Sequence, residues 1–512
     1  MKGIINKTVR LYLKSKYKSL RQVLKDPHYY QNKQFKRLID HARHTEWGRL
    51  YKYDEISDYT TFHQRIPISA YEDIQPFIER MMKGGKDILW PGTTTWFSKS
   101  SGTTGSRSKF IPVSEDNFAE CHKKGSWDTI SILYHNNPEL KLFERKSLIL
   151  GGSLSHYTPH PESIIGDVSA IMIANLPLIG RPFYAPDVQV AIMEDWQEKL
   201  ELTAELTIHE EEIATIGGVP TWNLVLFHKI LEKTGAQHML EIWPHLQLYI
   251  HGGVNFAPYQ SQFKKLIPRE DFLYQEVYNA SEGYFGTQLT PDGDMILLLD
   301  NGVFYEFIPL EEYGKKHGSP VPLEDVKKGE IYVILISTSS GLWRYKIGDT
   351  IQFTDTDPYT FRITGRTQQF INAFGEEVMI HNTDQAISIT TKKTRSEIKD
   401  YTVAPFYLKD GQRGRHDWLI EFRVPPKDLQ EFAHILDQEL QKINSDYAAK
   451  RTDDLALQQL HIEVIPDGTF ERWLKYKNRQ GSQVKVPRLS NDRRYLDDIL
   501  DFILNSQNPV KQ

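Results

Sequence analysis

The chain has 512 residues, of which 39% are hydrophobic and 25% are charged, and its formal net charge is -5 at pH 7. This length and composition predict a globular protein of roughly two to four domains, and the negative charge disfavours a general nucleic-acid binder. The single cysteine, Cys121, excludes an internal disulfide and a cysteine metal cage. We therefore expect a cytoplasmic protein whose partners are small molecules.

The N-terminal segment is strongly basic, with eight Lys or Arg residues and no acid in residues 1–25. A membrane-surface helix and a transit peptide have similar compositions. However, the segment leads directly into another helical pattern at 34–44 without a small-residue cleavage site. We therefore predict a solvated helix on the folded domain, and no apolar run is long enough to predict a membrane span.

The next feature is a loop at 98–109, rich in hydroxyls, glycines and bases, which follows the strand-like residues 94–97. Gly102 and Gly105 allow a left-handed backbone whose N–H groups can converge on an anion, and Lys109 adds a mobile positive charge. A Walker A loop is excluded, because no Gly-Lys-Ser/Thr follows the second glycine. The alternative is a flexible linker, which the immediate return to apolar residues disfavours. The loop is predicted to bind phosphate.

Glycine pairs then follow three short apolar runs that predict strands. These are 147–150 before Gly151-Gly152, 214–216 before Gly217-Gly218, and 246–250 before His251-Gly252-Gly253. In open α/β sheets, ligands bind at the carboxyl ends of the strands. For any one pair a simple turn is the favoured interpretation, but three pairs in succession shift the balance modestly towards a binding site.

The pattern beyond these runs becomes antiparallel. Residues 295–299 and 303–308 flank Asn301-Gly302 and predict a hairpin, and strands follow at 331–337 and 343–353. After a boundary between Gly365 and Asn382, helices alternate with strands at 418–422 and 461–464. We predict an α/β fold with mixed sheets and helices in a large N-terminal domain, 1–375, and a smaller mobile α+β domain, 376–512.

Two further motifs carry candidate chemistry. Tyr278 to Gly283 offers a ring on which a base can stack and a carboxylate, Glu282, that could hold Mg²⁺; the alternative is a surface glutamate. Asp349, which follows Gly348, can accept hydrogen bonds from both ribose hydroxyls, and Arg366 could support it. The alternative for Gly348-Asp349 is an ordinary hairpin turn.

Together and in this order, the motifs 100–105 with Lys109, 278–282 and 345–349 resemble the adenylate-forming, acyl-activating superfamily. More narrowly, the chain resembles the auxin-responsive (Gretchen Hagen) family of acyl acid-amido synthetases and its microbial members. The resemblance covers nearly the whole chain, from Glu46-Trp47-Gly48 to residues 481–488. It implies ATP and Mg²⁺ as cofactors.

The resemblance implies catalytic roles for Lys109, Glu282 and Lys485, with Glu282 also the metal ligand. It implies that the nucleotide contacts Ser100, Ser101, Gly102, Thr103, Thr104, Gly105, Gly252, Gly253, Val254, Tyr278, Ser281, Asp349 and Arg366. It implies that Gly218, Val219, Thr221 and Trp222 line the acyl pocket. The chain departs from the family at Lys346, where arginine is common, and from the superfamily at Gln369, where the hinge is usually aspartate.

The implied function is ATP-dependent activation of a carboxylic acid as an acyl-adenylate, followed by amide formation with an amine, for which an amino acid is the favoured candidate. Alternatives are an acyl-CoA ligase that forms a thioester, a non-catalytic nucleotide-binding regulator, and a membrane-docked scaffold. The joint presence of Lys109, Glu282 and Asp349 disfavours the regulator and the scaffold, since neither needs all three. We expect no nucleic-acid partner and no integral membrane segment.

Overall fold

The computed structural model describes residues 2–100, 109–178, 180–253, 256, 259–314, 319–367, 370–371, 378–406, 414–444, 447–448, 451, 457–477, 485–490 and 492–507. Its helices are α1 Lys2–Lys25, α2 Pro27–Ala42, α3 Glu46–Leu50, α4 Tyr59–Arg65, α5 Tyr71–Met82, α6 Glu115–Asn117, α7 Lys124–Asn136, α8 Val168–Ala174, α9 Val188–Ala191, α10 Trp196–Ile208, α11 Pro220–Thr234, α12 Gln260–Leu266, α13 Ile380–Thr394, α14 Leu429–Ile443, α15 Thr469–Tyr476 and α16 Arg494–Gln507. A π-helical turn, Phe118–Lys123, joins α6 to α7.

The strands are β1 Trp96–Ser100, β2 Lys109–Val113, β3 Lys146–Ile149, β4 Leu154–His156, β5 Ile164–Gly166, β6 Tyr184–Ala185, β7 Ile213–Gly217, β8 Leu248–His251, β9 Leu273–Ala280, β10 Gly283–Gln288, β11 Met295–Leu297, β12 Val303–Pro309, β13 Val321–Pro322, β14 Ile331–Thr338, β15 Tyr345–Thr356, β16 Tyr359–Arg366, β17 Phe370–Ile371, β18 Val378–Met379, β19 Glu397–Phe406, β20 Arg415–Val424 and β21 His461–Ile465.

A twelve-stranded sheet organises the large domain, in the order β13-β12-β14-β15-β16-β11-β10-β9-β8-β7-β3-β6. Pairs from β13 to β9 are antiparallel, whereas β9, β8, β7, β3 and β6 pair in parallel. Strand β9 therefore belongs to both halves. The carboxyl ends of the parallel strands meet the antiparallel half at this junction, which positions the candidate site.

Local sequence signals explain several of the element boundaries. The Asp26 side chain accepts a hydrogen bond from Tyr29 N and caps α2, which begins with proline at its first position. Helix α11 likewise begins at Pro220 and ends where Gly235 adopts a left-handed conformation, φ 73. These caps satisfy backbone groups that a helix end leaves unpaired, so the ends are determined locally.

The predicted hairpin at 295–308 is wrong. Strand β11 pairs with β10 and β16, whereas β12 pairs with β13 and β14. The buried Asn301 amide donates to the Tyr284 carbonyl at 2.6 Å, and Gln31 donates to the Leu299 and Val303 carbonyls at 2.8 and 3.0 Å. Asn301-Gly302 therefore lies in a connection between separate parts of the sheet and not in a hairpin turn. The reason is that β11 and β12 each pair with other strands.

The smaller domain contains the sheet β19-β20-β21, packed against α13 and α14. The backbone near Leu489 adds to β19, because Val403 N donates to the Arg488 carbonyl and Ser490 N to the Val403 carbonyl, at 2.8 and 3.1 Å. The predicted mixed α/β fold, with a large N-terminal and a small C-terminal domain, is confirmed. The predicted boundary after 375 lies outside the described residues.

Helix α1 packs on the large domain rather than standing apart from it. Its Leu13 joins an apolar cluster with Leu133 of α7, and the ring of Tyr17 stacks on His135 at 3.8 Å. The Tyr134 hydroxyl donates to the Asn6 side chain at 2.8 Å.

Among the described helices, none is long and apolar enough to cross a membrane.

Candidate active site

A cavity of about 1540 Å³ opens at the junction between the two halves of the large sheet. Its wall includes the glycine turns after β7 and β8, the end of β9, the start of β15 and Lys485 of the small domain. Two of the three predicted glycine pairs, Gly217-Gly218 and Gly252-Gly253, therefore share one space with the two later motifs. The third pair, Gly151-Gly152, is not among the described residues that line the cavity. This convergence could not be read from any single motif.

Tyr278 and Asp349 meet across this cavity wall, although 71 residues separate them. The Tyr278 hydroxyl donates to Asp349 Oδ2 at 2.5 Å, and both side chains are buried. Gly348 has φ +90, and its carbonyl accepts from Thr367 N at 2.8 Å. This left-handed residue lies within β15, beside an irregularity in the pairing of β15 with β14. Because Gly348 has no side chain, a polyol could approach the Asp349 carboxylate closely.

Ser281 and Glu282 form the tight connection between β9 and β10, and both are buried in the cavity wall. No group of three or more His, Cys, Asp or Glu side chains suited to a metal occurs among the described residues. Mg²⁺ commonly takes one or two carboxylates and completes its shell with phosphate oxygens and water. The single Glu282 carboxylate fits that pattern, and a site made of protein ligands alone does not.

The glycine turns present bare backbone to the cavity. A Cβ atom on Gly252 would lie 2.4 Å from the Val277 carbonyl oxygen, so no side chain fits there. Gly253 and Gly218 have φ +78 and +126, and the Gly218 carbonyl accepts from the Tyr249 hydroxyl at 2.9 Å. The turn after β8 therefore offers a flat edge suited to a planar ring. Val254 lies outside the described residues.

Lys485 reaches this turn from the small domain, where its ammonium donates to the Gly253 carbonyl. Arg488, three residues later, donates to the Tyr259 hydroxyl of the large domain and to the Asp384 carboxylate of the small one, both at 2.6 Å. Its guanidinium also lies 4.7 Å from the centre of the Tyr401 ring. Arg488 thus connects the two domains in the arrangement that brings Lys485 into the cavity.

The structure does not bring Lys109 to the same place. Lys109 begins β2, and its ammonium lies over the Tyr71 ring, 5.6 Å from the ring centre. The Tyr71 hydroxyl accepts a hydrogen bond from Phe110 N at 2.9 Å. Lys109 is not among the described residues that line the cavity. Tyr71 therefore supports the strand that follows the predicted phosphate loop.

Several predicted site residues are described only in part. Ser100 ends β1 and Arg366 ends β16, where its backbone pairs with Asp349, but their side chains lie outside the description. The same holds for the Thr221 and Trp222 side chains in the first turn of α11, which follows Val219. Ser101, Gly102, Thr103, Thr104, Gly105 and Gln369 lie wholly outside the described residues.

The sequence motifs missed the apolar end of the cavity. Here Ile149, Thr215 and Ile250 of the parallel sheet line the cavity together with aromatic and aliphatic side chains. The latter include Trp127, Ile130, Phe143, Met172, Ile173, Phe183 and Tyr184. The helical spacing of Trp127 and Ile130 was the only available signal, because the other contributors come from short segments without a motif.

Two histidines near the cavity are held neutral. Burial lowers the pKa of His251 to about 3 and that of His122 to about 4. His122 lies on the π-helical turn, and its Nδ1 is 3.2 Å from the Asn279 amide oxygen. The His251 ring therefore adds polar atoms to the cavity wall without adding charge at neutral pH, whereas His122 contacts that wall through Asn279.

Comparison with solved structures defines the class of fold. The chain is similar to GH3.15 acyl acid amido synthetase, with TM-score 0.77 and 18% identity over 95% of this chain and 96% of that one. It is also similar to a 2-hydroxyisobutyryl-CoA ligase in the postadenylation state, with TM-score 0.57 and 11% identity over 96% and 92%. The fold is that of adenylate-forming enzymes.

Family models identify the narrower group. The GH3 family N-terminal domain matches residues 16–160 and 153–272, the central domain 296–366, and the C-terminal domain 381–494. The chain belongs to the GH3 family. The family that the three motifs predicted is therefore confirmed.

Curated relatives are similar along nearly their whole length. An indole-3-acetic acid-amido synthetase, GH3.3 of Arabidopsis thaliana, is 21% identical over 92% of this chain and 90% of its own. The jasmonoyl–L-amino acid synthetase JAR6 of Nicotiana attenuata is 22% identical over 95% of each chain. The 4-substituted benzoates-glutamate ligase GH3.12 of Arabidopsis thaliana is 20% identical over 94% and 95%. The predicted enzyme class, an adenylate-forming acyl acid-amido synthetase, is confirmed.

Proposed function

We propose that this chain activates an apolar carboxylic acid with ATP and Mg²⁺ and joins it to the amino group of an amino acid in the cytoplasm. The observation that carries the proposal is one cavity that joins the Tyr278–Asp349 pair, Glu282, the Gly252-Gly253 turn and Lys485. An apolar compartment adjoins this polar one. Such a cavity suits a substrate with a phosphorylated sugar at one end and an apolar acid at the other.

In the first half-reaction, a carboxylate oxygen attacks the α-phosphorus of ATP. A bond forms from that oxygen to phosphorus, the bond to the β-phosphate oxygen breaks, and pyrophosphate leaves with the electron pair. In the proposal, Asp349 binds the ribose hydroxyls, and the Gly252-Gly253 turn borders the adenine. Lys485 neutralises phosphate charge, so the protein contributes positioning and electrostatic stabilisation.

Glu282 is the residue that would hold the metal. Bound Mg²⁺ would neutralise charge on the phosphates and so favour departure of pyrophosphate. Ser281 and Tyr278 border the same space and restrict how the nucleotide lies beside Glu282.

In the second half-reaction, the neutral amine attacks the acyl carbonyl. The carbon–nitrogen bond forms, the bond to the adenylate oxygen breaks, AMP leaves, and the amine loses a proton to give the amide. The apolar walls near Trp127 and Phe143 support the choice of an apolar acid. The relatives named for indole-3-acetic acid, jasmonate and benzoates support the same choice and that of an amino acid acceptor.

The proposal is tested by incubating the protein with ATP, Mg²⁺ and a panel of aromatic and aliphatic acids, with either amino acids or coenzyme A. We expect acid-dependent exchange of labelled pyrophosphate into ATP, and mass spectrometry should identify an amide and AMP. Formation of a thioester with coenzyme A, in the absence of any amide, would refute the proposed amino acid acceptor. Bound ATP without exchange for any acid would refute the enzyme in favour of a regulator.

A further inference from the structure

The outer face of α1 carries a line of positive charge. We call this set the basic stripe, and it consists of Lys7, Lys14, Lys18, Arg21 and Lys25. Each of these residues is exposed. With 3.6 residues per turn, their spacing of seven, four, three and four confines them to an arc of about 60°. The stripe is about 27 Å long, because a helix rises 1.5 Å per residue.

No acid neutralises the stripe within the part of the chain that the structure describes. Its members form no salt bridge with another described residue. The first acidic residue of the chain, Asp26, caps α2 through Tyr29 N. By contrast, Arg37 of the next helix, α2, pairs with Glu120. Five like charges on one helix face repel one another, so the stripe favours an anionic partner.

An apolar side chain borders the stripe. Leu11 lies about 20° beyond the edge of that arc and is 69% exposed, and the next residue in sequence, Tyr12, is 46% exposed. The opposite face of α1 is already occupied, because Leu13 and Leu20 are buried in the domain. The helix is therefore rigidly held, with its charged face and one large aliphatic group directed outward.

We propose that the basic stripe docks the protein on an anionic membrane surface. Phosphate and carboxylate headgroups complement the five cations, and Leu11 can enter the boundary between headgroups and acyl chains. The exposed leucine favours a bilayer over a nucleic acid, whose backbone offers no apolar partner. The net charge of -5 also opposes wrapping of the rest of the surface around a polyanion.

The test measures cosedimentation of the full chain with vesicles of phosphatidylcholine alone and with about 30% phosphatidylglycerol, at low and high salt. The stripe variant combines Lys7→Gln, Lys14→Gln, Lys18→Gln and Arg21→Gln. We expect binding only to the anionic vesicles, loss of that binding at high salt, and at least about a tenfold lower partition coefficient for the variant.

The matched control removes the same charge elsewhere, through Lys264→Gln, Lys327→Gln, Lys392→Gln and Lys427→Gln, all at exposed positions. It should bind within about twofold of the parent, whereas Leu11→Ser should bind about threefold more weakly. Circular dichroism melts verify that each variant is folded. Equal losses in the stripe and control variants, salt-independent binding to neutral vesicles, or binding to duplex DNA in preference to vesicles would overturn the proposal.

Discussion

At the scale of single residues, Asp349 and Glu282 present two carboxylates to one cavity but in different surroundings. Asp349 is on β15 and accepts from the Tyr278 hydroxyl, whereas Glu282 is in the connection between β9 and β10. A carboxylate that already accepts one hydrogen bond is oriented in advance for a second partner. The two residues should therefore affect different steps when they are removed.

Asp349→Ala removes the proposed charge-assisted hydrogen bonds to ribose, each worth roughly 1.5–3 kcal/mol. We expect kcat/KM for ATP to fall at least about tenfold, measured by pyrophosphate exchange. Asp355→Ala, on the same strand but at an exposed position paired with Lys328, is the control and should leave this value unchanged. Unchanged exchange kinetics in Asp349→Ala would place the ribose elsewhere.

Glu282→Ala should instead change the response to the metal. We expect the Mg²⁺ concentration for half-maximal exchange to rise at least about tenfold, because the proposed protein ligand is lost. The KM for the acid should change little, since the apolar compartment is separate. The measurement is a Mg²⁺ titration at saturating ATP, and an unaltered titration curve would contradict the assignment of Glu282.

Glu276 gives a prediction about stability. Burial, with a further contribution from the Asp294 carboxylate, raises the pKa of Glu276 to about 7. The folded state holds this proton more tightly than the unfolded chain does. The contribution of protonated Glu276 to the free energy of unfolding is therefore fully present below the unfolded-state pKa of 4.5. It is lost as the pH rises through about 7.

Glu276→Gln, which stays neutral, should be more stable than the parent above pH 7 by roughly 1–3 kcal/mol. Thermal melts between about pH 4 and 9 should show a flatter dependence for this variant. Glu463→Gln, at an exposed position of β21, is the control and should follow the parent curve. Parallel curves for Glu276→Gln and the parent would refute the raised pKa.

At the scale of elements, the turn after β8 depends on space rather than on backbone freedom. A Cβ atom on Gly252 would meet the Val277 carbonyl oxygen at 2.4 Å. Gly252 directly follows β8, and Val277 belongs to the paired neighbouring strand β9, so neither can move without distorting the sheet edge. The Gly252-Gly253 turn should therefore be among the least tolerant positions in the cavity wall.

Gly252→Ala is expected to raise the KM for ATP at least about tenfold, because the displaced turn would enter the proposed adenine space. Gly329→Ala is a suitable control: Gly329 has φ +87 with nothing within 4 Å. That change should lower stability by about 1 kcal/mol and leave the KM unchanged. Isothermal calorimetry measures the affinity for ATP, and thermal melts measure the stability, so the two effects can be separated. Normal ATP affinity in Gly252→Ala would exclude the turn from the nucleotide site.

At the scale of the whole molecule, the small domain closes the cavity through Lys485 and is connected to the large domain through Arg488. Pyrophosphate must leave, and an amine must then reach the same carbonyl. A wall that stays fixed cannot serve both steps, so we expect the small domain to reorient between them.

Lys485→Ala should slow acyl-adenylate formation at least about tenfold and spare amide formation from a supplied acyl-adenylate. The reason is that no triphosphate charge remains to be neutralised in the second step. Single-turnover assays of each half-reaction provide the measurement, with the exposed Lys427→Ala as a control on the same domain. Equal loss in both half-reactions would assign Lys485 to structure or general binding.

The chemistry of the motifs was readable from the sequence because it depends on residues close together in the chain. Gly102 and Gly105, Tyr278 to Glu282, and Gly348-Asp349 each combine the backbone freedom and the side chain that a nucleotide site needs. Their order along the chain predicted the family, and alternation of helix and strand patterns predicted the fold class. Local spacing suffices for such inferences, since it is preserved whatever the tertiary arrangement.

Only the tertiary structure decided which motifs meet. Strand order brings Tyr278 to Asp349 across 71 positions and, through the small domain, Lys485 to Gly253 across 232. In the same strand order, β11 pairs with β10 and β12 pairs with β14, so these two strands, which are neighbours in sequence, do not pair with each other. Pairing between distant strands and packing of the apolar compartment depend on the whole set of competing contacts. A local sequence pattern does not show which arrangement of those contacts has the lowest free energy.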